Sequence, residues 1–397
     1  MANEHVLSRS GVAESAEPDV LPPHEMRLPA RIPPGEEGLA LAIRQSTGVS
    51  MVPGNEVELV ENGRVFDAVV EEIRQARRSV HIVLYIWRPC AASDRVIEAI
   101  AERGRRGVRC RVVVDPVGSE EISGDRDFDQ QIEPRLRDAG AEVHYYRVLR
   151  RQPVIRLGGR NHQKIVVVDG RVGITGGFGL WREWDGDGVT GWRDSNVRVR
   201  GPVVAQLQVA FARAWQESGG ALLPAEELPE LPPDGPARAA FVTSIGSSGI
   251  SDAERMLRMV FASARRRIWI SNAYFTPPEA ILLQLEEKRR QGVDVQVLAP
   301  GGVTDQRLVL ASQRSVYGRL LRAGARIWEY QPAMLHAKTI LVDDWLAVVG
   351  SINLDALSLN RLAEGSLVVS DRALAAALER SFFRDLRHAK EVKRGFA

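Results

Sequence analysis

Two stretches of the sequence repeat the same set of chemically reactive side chains, HQKIVVVDG at 162–170 and HAKTILVDD at 336–344. In each stretch a lysine follows the histidine by two residues, and an aspartate follows the lysine by five. Side chains two apart on a β-strand point the same way, so each histidine and its lysine should project from one face. The six residues are His162, Lys164, Asp169, His336, Lys338 and Asp343.

Two imidazoles and two ammonium groups, one pair from each stretch, suit an anionic phosphodiester held between them. One histidine can attack phosphorus while the other protonates the departing alkoxide. The lysines can hold the non-bridging oxygens as negative charge builds up. We therefore expect a phosphoryl-transfer site, in which Asp169 and Asp343 take supporting or turn-forming positions.

A duplicated buried strand whose histidines merely face solvent is the alternative, and it would account for a single H-x-K. Two copies that match at histidine, lysine and aspartate favour the catalytic interpretation. A metal site is disfavoured because the sequence has no H-x-x-x-H and no cluster of cysteine and histidine, and a lysine beside each histidine would repel a cation. We expect neither a metal nor another cofactor.

The composition is that of a soluble globular protein of 397 residues, with 44% hydrophobic and 26% charged residues and a formal net charge of +2. Such a charge gives no general electrostatic attraction to nucleic acid. No uncharged apolar run approaches the roughly 18–20 residues that cross a membrane, and the first residues lack the apolar core of a signal peptide. If the protein acts on a membrane, we expect it to act from the cytoplasmic surface.

The helix and strand patterns of the first half recur in the same order in the second half, as in an internal duplication. Alternation of helices and strands predicts an α/β fold. We assign a largely flexible tail to residues 1–50, a first α/β domain to 51–218, a proline-rich linker to 219–237 and a second α/β domain to 238–397.

The repeated motif resembles the signature of the phospholipase D superfamily, H-x-K-x4-D-x6-G-x2-N, present twice. The second copy matches throughout and continues to Gly350 and Asn353, whereas the first has Gly176 but carries Gly179 where the family has asparagine. Stretches such as ENGRVFDAV, WRDSNVRVRGPVVAQLQ and GSINLDALSLNRLAE are most similar to bacterial cardiolipin synthases of the short type without transmembrane segments. Leu362, in LNRLAE, departs from the asparagine that the family often has there.

This resemblance implies two phospholipase D-like domains related by a pseudo-two-fold axis, with mixed sheets, flanking helices and a shared active site. It implies His162 as the nucleophile that carries a phosphatidyl group and His336 as the general acid, with roles that can exchange. It also implies that Glu364 and Asp194 each hydrogen-bond a catalytic imidazole. The positions that it marks for substrate binding are Gly176, Gly179, Asp194, Ser351, Asn353 and Glu364.

Three local features have both a structural and a functional interpretation. The arginine-rich segment 147–160 is a solvated loop or a lip that contacts anionic headgroups. Trp181, Trp184 and Trp192 are by default aromatic core, and otherwise contact acyl chains. At Gly179 we expect the backbone to have rearranged around the glycine, so that asparagine would clash there.

The leading function is formation of cardiolipin from phosphatidylglycerol and a second phospholipid, phosphatidylglycerol or phosphatidylethanolamine, with no nucleic acid as partner. A hydrolytic phospholipase D would use the same residues with water as acceptor. A phosphodiesterase acting on nucleic acid is less favoured because the chain is nearly neutral. A non-enzymatic scaffold is least favoured because both H-x-K pairs are intact.

Overall fold

The computed structural model describes residues 32–121, 127–146, 159–245 and 249–393. The helices in these ranges are α1 (Gly35–Thr47), α2 (Arg64–Gln75), α3 (Ala91–Gly104), α4 (Glu133–Asp138), α5 (Val204–Glu217), α6 (Asp252–Ser263), α7 (Glu279–Arg290), α8 (Arg307–Ala323), α9 (Ala356–Arg361) and α10 (Arg372–Leu386). The strands of the first half are β1 (Val52–Glu61), β2 (Ser79–Leu84), β3 (Arg109–Val114), β4 (Ala141–Tyr145), β5 (Ile165–Val168), β6 (Val172–Gly176) and β7 (Ser195–Arg200). Those of the second half are β8 (Ala237–Ser244), β9 (Arg267–Asn272), β10 (Asp294–Pro300), β11 (Arg326–Tyr330), β12 (Lys338–Val342), β13 (Leu346–Gly350), β14 (Glu364–Ser370) and β15 (Ala389–Val392). Short π-helical turns lie at Val117–Glu121 and Phe128–Ile132, and 3-10 turns at Arg182–Trp184 and Ala225–Glu227.

One sheet runs through both halves, in the order β15-β11-β10-β9-β12-β13-β14-β8-β1-β7-β6-β5-β2-β3-β4. Read outward from the centre, the first half gives β1-β7-β6-β5-β2-β3-β4 and the second gives β8-β14-β13-β12-β9-β10-β11, the same arrangement. The strands β2, β3 and β4 of the first half, and β9, β10 and β11 of the second, are parallel, and β5 and β12 pair antiparallel with the inner strand of each set. The second half has one further strand, β15, which pairs antiparallel with β11 at the edge of the sheet. The predicted α/β fold with two similar halves and pseudo-two-fold symmetry is confirmed.

The halves meet where β1 pairs antiparallel with β8, through Val52 opposite Ala239 and Asn55 opposite Ala237. An antiparallel pair of equivalent strands is what a two-fold axis through the sheet produces. The joined sheet has helices on both faces, which is why its strands are apolar runs rather than alternating patterns. β2, for example, is buried along all six residues.

The helices form two layers. On one face α2, α3 and α4 cover the first half, while α1, α6, α7 and α8 cover the second. On the other face α5 and α10 pack on strands of both halves, so that one apolar core crosses the junction. In α2 the apolar face formed by Phe66, Val69, Val70 and Ile73 is buried.

The N-terminal region differs from the flexible tail that we expected through residue 50. Residues 35–47 form α1, whose Leu39 and Ile43 are fully buried against the core of the second half. Arg238 pairs with Glu36 and Glu37 at the start of this helix. Two apolar residues four apart are enough to hold one short helix against a core, but they are too few for a clear sequence pattern.

Within the described residues, no helix combines the length and the apolar character that crossing a membrane requires.

Candidate active site

The two H-x-K segments come together at the centre of the molecule, each next to a sheet strand of its own half. Lys164 directly precedes β5, and Lys338 is the first residue of β12. The backbone of each histidine is bound by the opposite half, because His162 N donates to Ala363 O at 2.8 Å and His336 N donates to Arg193 O at 2.7 Å. The repeated motif is therefore held across the pseudo-two-fold axis.

Each imidazole also takes its carboxylate from the opposite half. His162 Nδ1 lies 2.9 and 3.1 Å from the two oxygens of Glu364, and His336 Nδ1 lies 2.8 Å from Asp194 Oδ2. A carboxylate accepts, so Nδ1 carries the proton in both rings and Nε2 is the basic nitrogen. The predicted hydrogen bonds between these acids and the histidines are therefore present, but each acid binds the histidine of the other motif and not the histidine that it follows in the sequence.

Both acids are completely buried, and neighbouring donors hold them in place. Glu364 accepts from the hydroxyls of Ser351 and Ser358, while Asp194 accepts from Trp184 Nε1 at 2.8 Å. Burial alone would raise the pKa of Asp194, but His336 and Lys338 hold it below its ordinary value. The carboxylates therefore orient the imidazoles rather than contact a substrate.

The electrostatics keep both histidines neutral when the site is empty. Burial lowers the pKa of His162 to about 4, against the opposing attraction of Glu364. Burial and the adjacent Lys338 lower the pKa of His336 to about 3. Lys338 Nζ lies 2.9 Å from His336 Nε2, so the positive charge of the lysine opposes protonation of that ring. A bound anion would offset this repulsion.

The lysines are buried and share a common geometry. Lys164 Nζ donates to His162 O at 2.6 Å, and Lys338 Nζ donates to His336 O at 2.5 Å. Burial lowers the pKa of Lys338 to about 8 and moves that of Lys164 in the same direction. Two ammonium groups so poorly solvated would gain strongly from an anion placed between them.

The histidines open into a cavity of about 1020 Å³. It is lined by Tyr85, Ile86, Arg88, Gly118, His162, Lys164, Gly179, Trp181, Glu183, Trp184, Trp192, Tyr274, Thr276, Val303, Thr304, Asp305, Gln306, Val309, Met334, His336, Asn353, Asp355, Ala356, Leu357, Ser358 and Leu362. Aromatic and aliphatic side chains dominate, as in a site that accepts a large apolar ligand. Asn353, predicted to bind substrate, lines the cavity, and its buried Oδ1 has no hydrogen-bond partner in the part of the chain that the structure describes.

Tyr85 directly follows β2 and Tyr274 lies two residues past β9, and the sequence analysis did not single them out. The Tyr85 ring lies edge-on to His162 at 4.8 Å, and Lys164 Nζ lies 5.5 Å from the centre of the Tyr85 ring. Lys338 Nζ is 6.0 Å from the Tyr274 ring, whose hydroxyl donates to Asp305 at 2.6 Å. The signal was present, since a tyrosine lies within two residues of the end of the corresponding strand in each half.

Asp169 and Asp343, which we had grouped with the catalytic residues, do not line the cavity. Each lies at the far end of its strand, five residues and therefore about 16 Å along the chain from its lysine. Asp169 accepts backbone N–H groups of Arg77, Arg78 and Ser79. Asp343 does the same in the equivalent loop, at 265–267. They fix the loops that lead into β2 and β9, so the turn-forming interpretation applies.

Two further predicted substrate contacts also lie away from the cavity. Ser351 is fully buried and donates to Glu364. Gly176 packs on Asn196, because a Cβ at this position would lie 2.6 Å from Asn196 Cα. Neither residue is placed to touch a ligand, and both serve the packing behind the histidines.

Gly179 does line the cavity, and it is tightly surrounded. A Cβ there would lie 3.1 Å from Trp184 and 3.2 Å from Ile86. Arg182, three residues further on, has a side chain that is 77% exposed and pairs with Glu183. The cavity wall is therefore closed tightly around the glycine, and the clash expected for asparagine stays a prediction.

The tryptophans line the cavity and also pack in or against the apolar core of the first half. Trp184 and Trp192 each lie 5.0 Å from the His336 ring, and Trp181 is 6.2 Å from Trp192. Most of the arginine-rich segment lies outside the described residues. Its last residue, Arg160, is buried beside Asp115 at 3.8 Å and is therefore no part of an exposed lip.

Within the described residues, no three histidine, cysteine, aspartate or glutamate side chains form a group that could hold a metal ion. The side chains at the centre are those of acid–base and nucleophilic chemistry on an anion.

Comparison with known proteins gives a consistent result. The family described as "Cardiolipin synthase, PLD-like domain" matches residues 69–215 and 257–386. The chain is 34% identical over 346 residues to cardiolipin synthase A of Pseudomonas putida strain F1, covering 85% of this chain and 70% of that one. It is 33% identical over 395 residues to cardiolipin synthase A of Pseudomonas aeruginosa strain PAO1, covering 96% and 77%.

Among solved structures, phosphatidylserine synthase of Haemophilus influenzae Rd KW20 superimposes with a TM-score of 0.70 at 14% identity, covering 90% of this chain and 92% of that one. Polyphosphate kinase of Porphyromonas gingivalis gives a TM-score of 0.56 at 12% identity, covering 96% and 53%. At these identities the likeness is one of fold.

Proposed function

We propose that this chain, which belongs to the family of cardiolipin synthases with phospholipase D-like domains, is a phosphatidyltransferase. It forms cardiolipin through a phosphohistidine. One observation carries the proposal: two imidazoles, each oriented by a buried carboxylate of the opposite half, face one cavity that also contains a lysine. The relatives' activity and the apolar walls of the cavity support a phospholipid as the substrate.

In the first step His162 Nε2 attacks the phosphorus of a phosphatidylglycerol. A P–N bond forms and the P–O bond to the headgroup glycerol breaks. His336, which takes up a proton from solvent on Nε2 when the substrate binds, gives that proton to the glycerol oxygen. Glu364 stabilises the positive charge that develops on the His162 ring. The lysines and the Nδ2–H group of Asn353, which lines the cavity, donate to the non-bridging oxygens.

In the second step an alcohol of another phospholipid attacks the phosphohistidine. His336 Nε2 takes the proton of that hydroxyl, an O–P bond forms, and the P–N bond to His162 breaks. The enzyme returns to its starting protonation, and cardiolipin and free glycerol are the products. Phosphatidylglycerol can serve as both lipids in this scheme. Phosphatidylethanolamine, whose headgroup has no free hydroxyl, fits only as the donor, with ethanolamine leaving in place of glycerol and phosphatidylglycerol as the acceptor.

The assignment of roles rests on charge. His162 is neutral in the empty site, which is the state that a nucleophile requires. His336 is neutral because burial and Lys338 oppose its protonation. A phosphodiester beside Lys338 would offset both effects, so that His336 becomes an acid when the substrate is bound.

We also infer that the enzyme works at the cytoplasmic surface of a membrane. Val303 and Leu357 line the cavity and are nevertheless 48% and 42% exposed, and Leu308 nearby is 86% exposed. Exposed apolar residues at a cavity mouth favour contact with lipid. The free cysteines, Cys90 and Cys110, are typical of a reducing compartment.

The decisive experiment uses phosphatidyl-p-nitrophenol beside phosphatidylglycerol, because nitrophenolate leaves without needing a proton. We expect His162→Ala to abolish reaction with both substrates, whereas His336→Ala abolishes turnover of phosphatidylglycerol but retains a burst of nitrophenolate. His388→Ala, a change at an exposed histidine, is the matched control. Near-normal cardiolipin formation by either active-site variant would refute the two-histidine mechanism.

Hydrolysis is the competing activity, since water can accept the phosphatidyl group from the same intermediate. Product analysis separates the two: cardiolipin with glycerol indicates transfer, and phosphatidic acid indicates hydrolysis. We expect cardiolipin to predominate on phosphatidylglycerol vesicles.

A further inference from the structure

Arg88 lines the cavity with a guanidinium group that no carboxylate of the described residues neutralises. Its Nε is buried without a hydrogen-bond acceptor among the described residues. The guanidinium carbon lies 4.5 Å from the centre of the Trp181 ring, which holds it by a cation–π contact. A buried donor left unpaired costs free energy, so this group is suited to bind an anion in the cavity.

The backbone places Arg88 on the wall that carries Gly179. Arg88 N donates to Leu180 O at 2.8 Å, and Leu180 N donates to Ile86 O at 3.0 Å. The stretch from Tyr85 to Arg88 therefore runs beside the position where the first motif lacks its asparagine. Tyr85, at the start of this stretch, contacts His162.

The opposite wall has the contrary charge. Asp305 and Asp355 line the cavity on the side of the second half. Glu183, the acid on the Arg88 side, is engaged by Arg182 at 3.3 Å. An anion near the cavity centre would be attracted toward Arg88 and repelled from Asp305 and Asp355.

The chemistry of transfer requires such a place. A phosphatidylglycerol acceptor brings its own phosphodiester, three carbons from the hydroxyl that attacks. The phosphatidyl group on His162 already occupies the lysines, so the second anion needs a separate cation. Arginine is suited to this task because it presents several donors to phosphate at once.

We propose that Arg88 is the binding site for the acceptor's phosphate, and that it selects a phosphate-bearing alcohol over water and over neutral alcohols. The proposal rests on the transfer function inferred above. During the second step Arg88 neutralises the acceptor phosphate while the acceptor hydroxyl attacks phosphorus, loses its proton to His336 and displaces His162.

The test compares three acceptors with one donor, phosphatidyl-p-nitrophenol, which cannot itself act as acceptor. Phosphatidylglycerol and soluble glycerol 3-phosphate carry the phosphate, and glycerol lacks it. For Arg88→Gln we expect the ratio of transfer to hydrolysis to fall about 10- to 100-fold with both phosphate-bearing acceptors, as for a lost charge-assisted hydrogen bond, and less than three-fold with glycerol. Arg182→Gln, on the same side but with its side chain largely exposed, should match the parent.

Equal losses with all three acceptors would overturn the proposal, and so would a loss with phosphatidylglycerol alone, which would indicate a contact with the membrane. Arg88→Lys keeps the charge without the planar donor face, so an intermediate loss confined to the phosphate-bearing acceptors is expected. An equal loss across acceptors in that variant would also refute the idea. Failure of the proposed function is distinct, because the parent itself would then form no transfer product with any acceptor.

Discussion

Glu364→Gln changes the charge behind His162 with little change in shape. In the parent, the two oxygens of Glu364 accept His162 Nδ1–H, the Ser351 hydroxyl and the Ser358 hydroxyl at 2.5 Å. Glutamine offers one acceptor oxygen, and its amide can donate to Nδ1. That would move the ring proton to Nε2, the nitrogen that must attack.

The expected loss follows from these contacts. The equivalent carboxylate-to-amide change in a serine-protease triad costs about 10⁴-fold, through the wrong tautomer and the lost charge. We expect a fall in kcat of about 10²- to 10⁴-fold, or roughly 3–5 kcal/mol of barrier. The measurement is the rate of nitrophenolate release, because that step needs His162 but no acid.

Two controls make the result interpretable. Asp194→Asn should slow reaction of phosphatidylglycerol strongly while retaining the nitrophenolate burst, because Asp194 orients only His336. Glu329→Gln removes a buried carboxylate that pairs with Arg314 outside the cavity, and should leave the rate unchanged. A Glu364→Gln rate within five-fold of the parent would refute the orienting role.

Gly179→Asn should lower turnover several-fold, since its side chain would press on Trp184, and a several-fold gain in cardiolipin formation would contradict the closed wall. Asp169→Ala should reduce the free energy of unfolding by roughly 2–4 kcal/mol through its lost backbone contacts, while kcat per folded enzyme stays within three-fold. The free energy of unfolding should fall as the pH drops from 6.5 toward 4, because His162 binds a proton in the unfolded chain but not in the folded one. In denaturant titrations, His162→Gln should reduce this dependence by up to about 1.4 kcal/mol per pH unit. Incubation with EDTA should leave cardiolipin formation unchanged, and a loss restored by a divalent ion would disprove metal-independence.

The reaction centre could be predicted from the sequence because its reactive residues lie close together in a short motif that occurs twice. His162 and Lys164 lie two residues apart on one extended segment, and backbone geometry alone places them on one face. The duplication likewise predicts two similar halves. The boundaries assigned to the two domains and the linker stay predictions.

The sequence did not show that each histidine is hydrogen-bonded by an acid from the opposite half. Glu364 follows His336 by 28 residues, so linear order favours that pairing, whereas the structure joins Glu364 to His162. Which half supplies a partner depends on β1 meeting β8 at the centre of the sheet, a contact between two edges without a local signal. Arg88 could not be singled out from the sequence for a similar reason. What distinguishes it is that its Nε has no hydrogen-bond acceptor among the described residues, and this depends on the folded structure.

The crossed carboxylates have a consequence for the history of the chain. Two separate copies of one half, joined edge to edge as β1 joins β8, would form a symmetric dimer in which every substitution occurs twice. Fusion into one gene removes that constraint, because a mutation then alters one side alone. Glycine at 179 opposite Asn353, aspartate at 194 opposite Glu364, and Arg88 facing an acidic wall are differences that a dimer of two identical copies could not contain. An enzyme that must distinguish a donor lipid from an acceptor lipid can arise from a symmetric ancestor by this route.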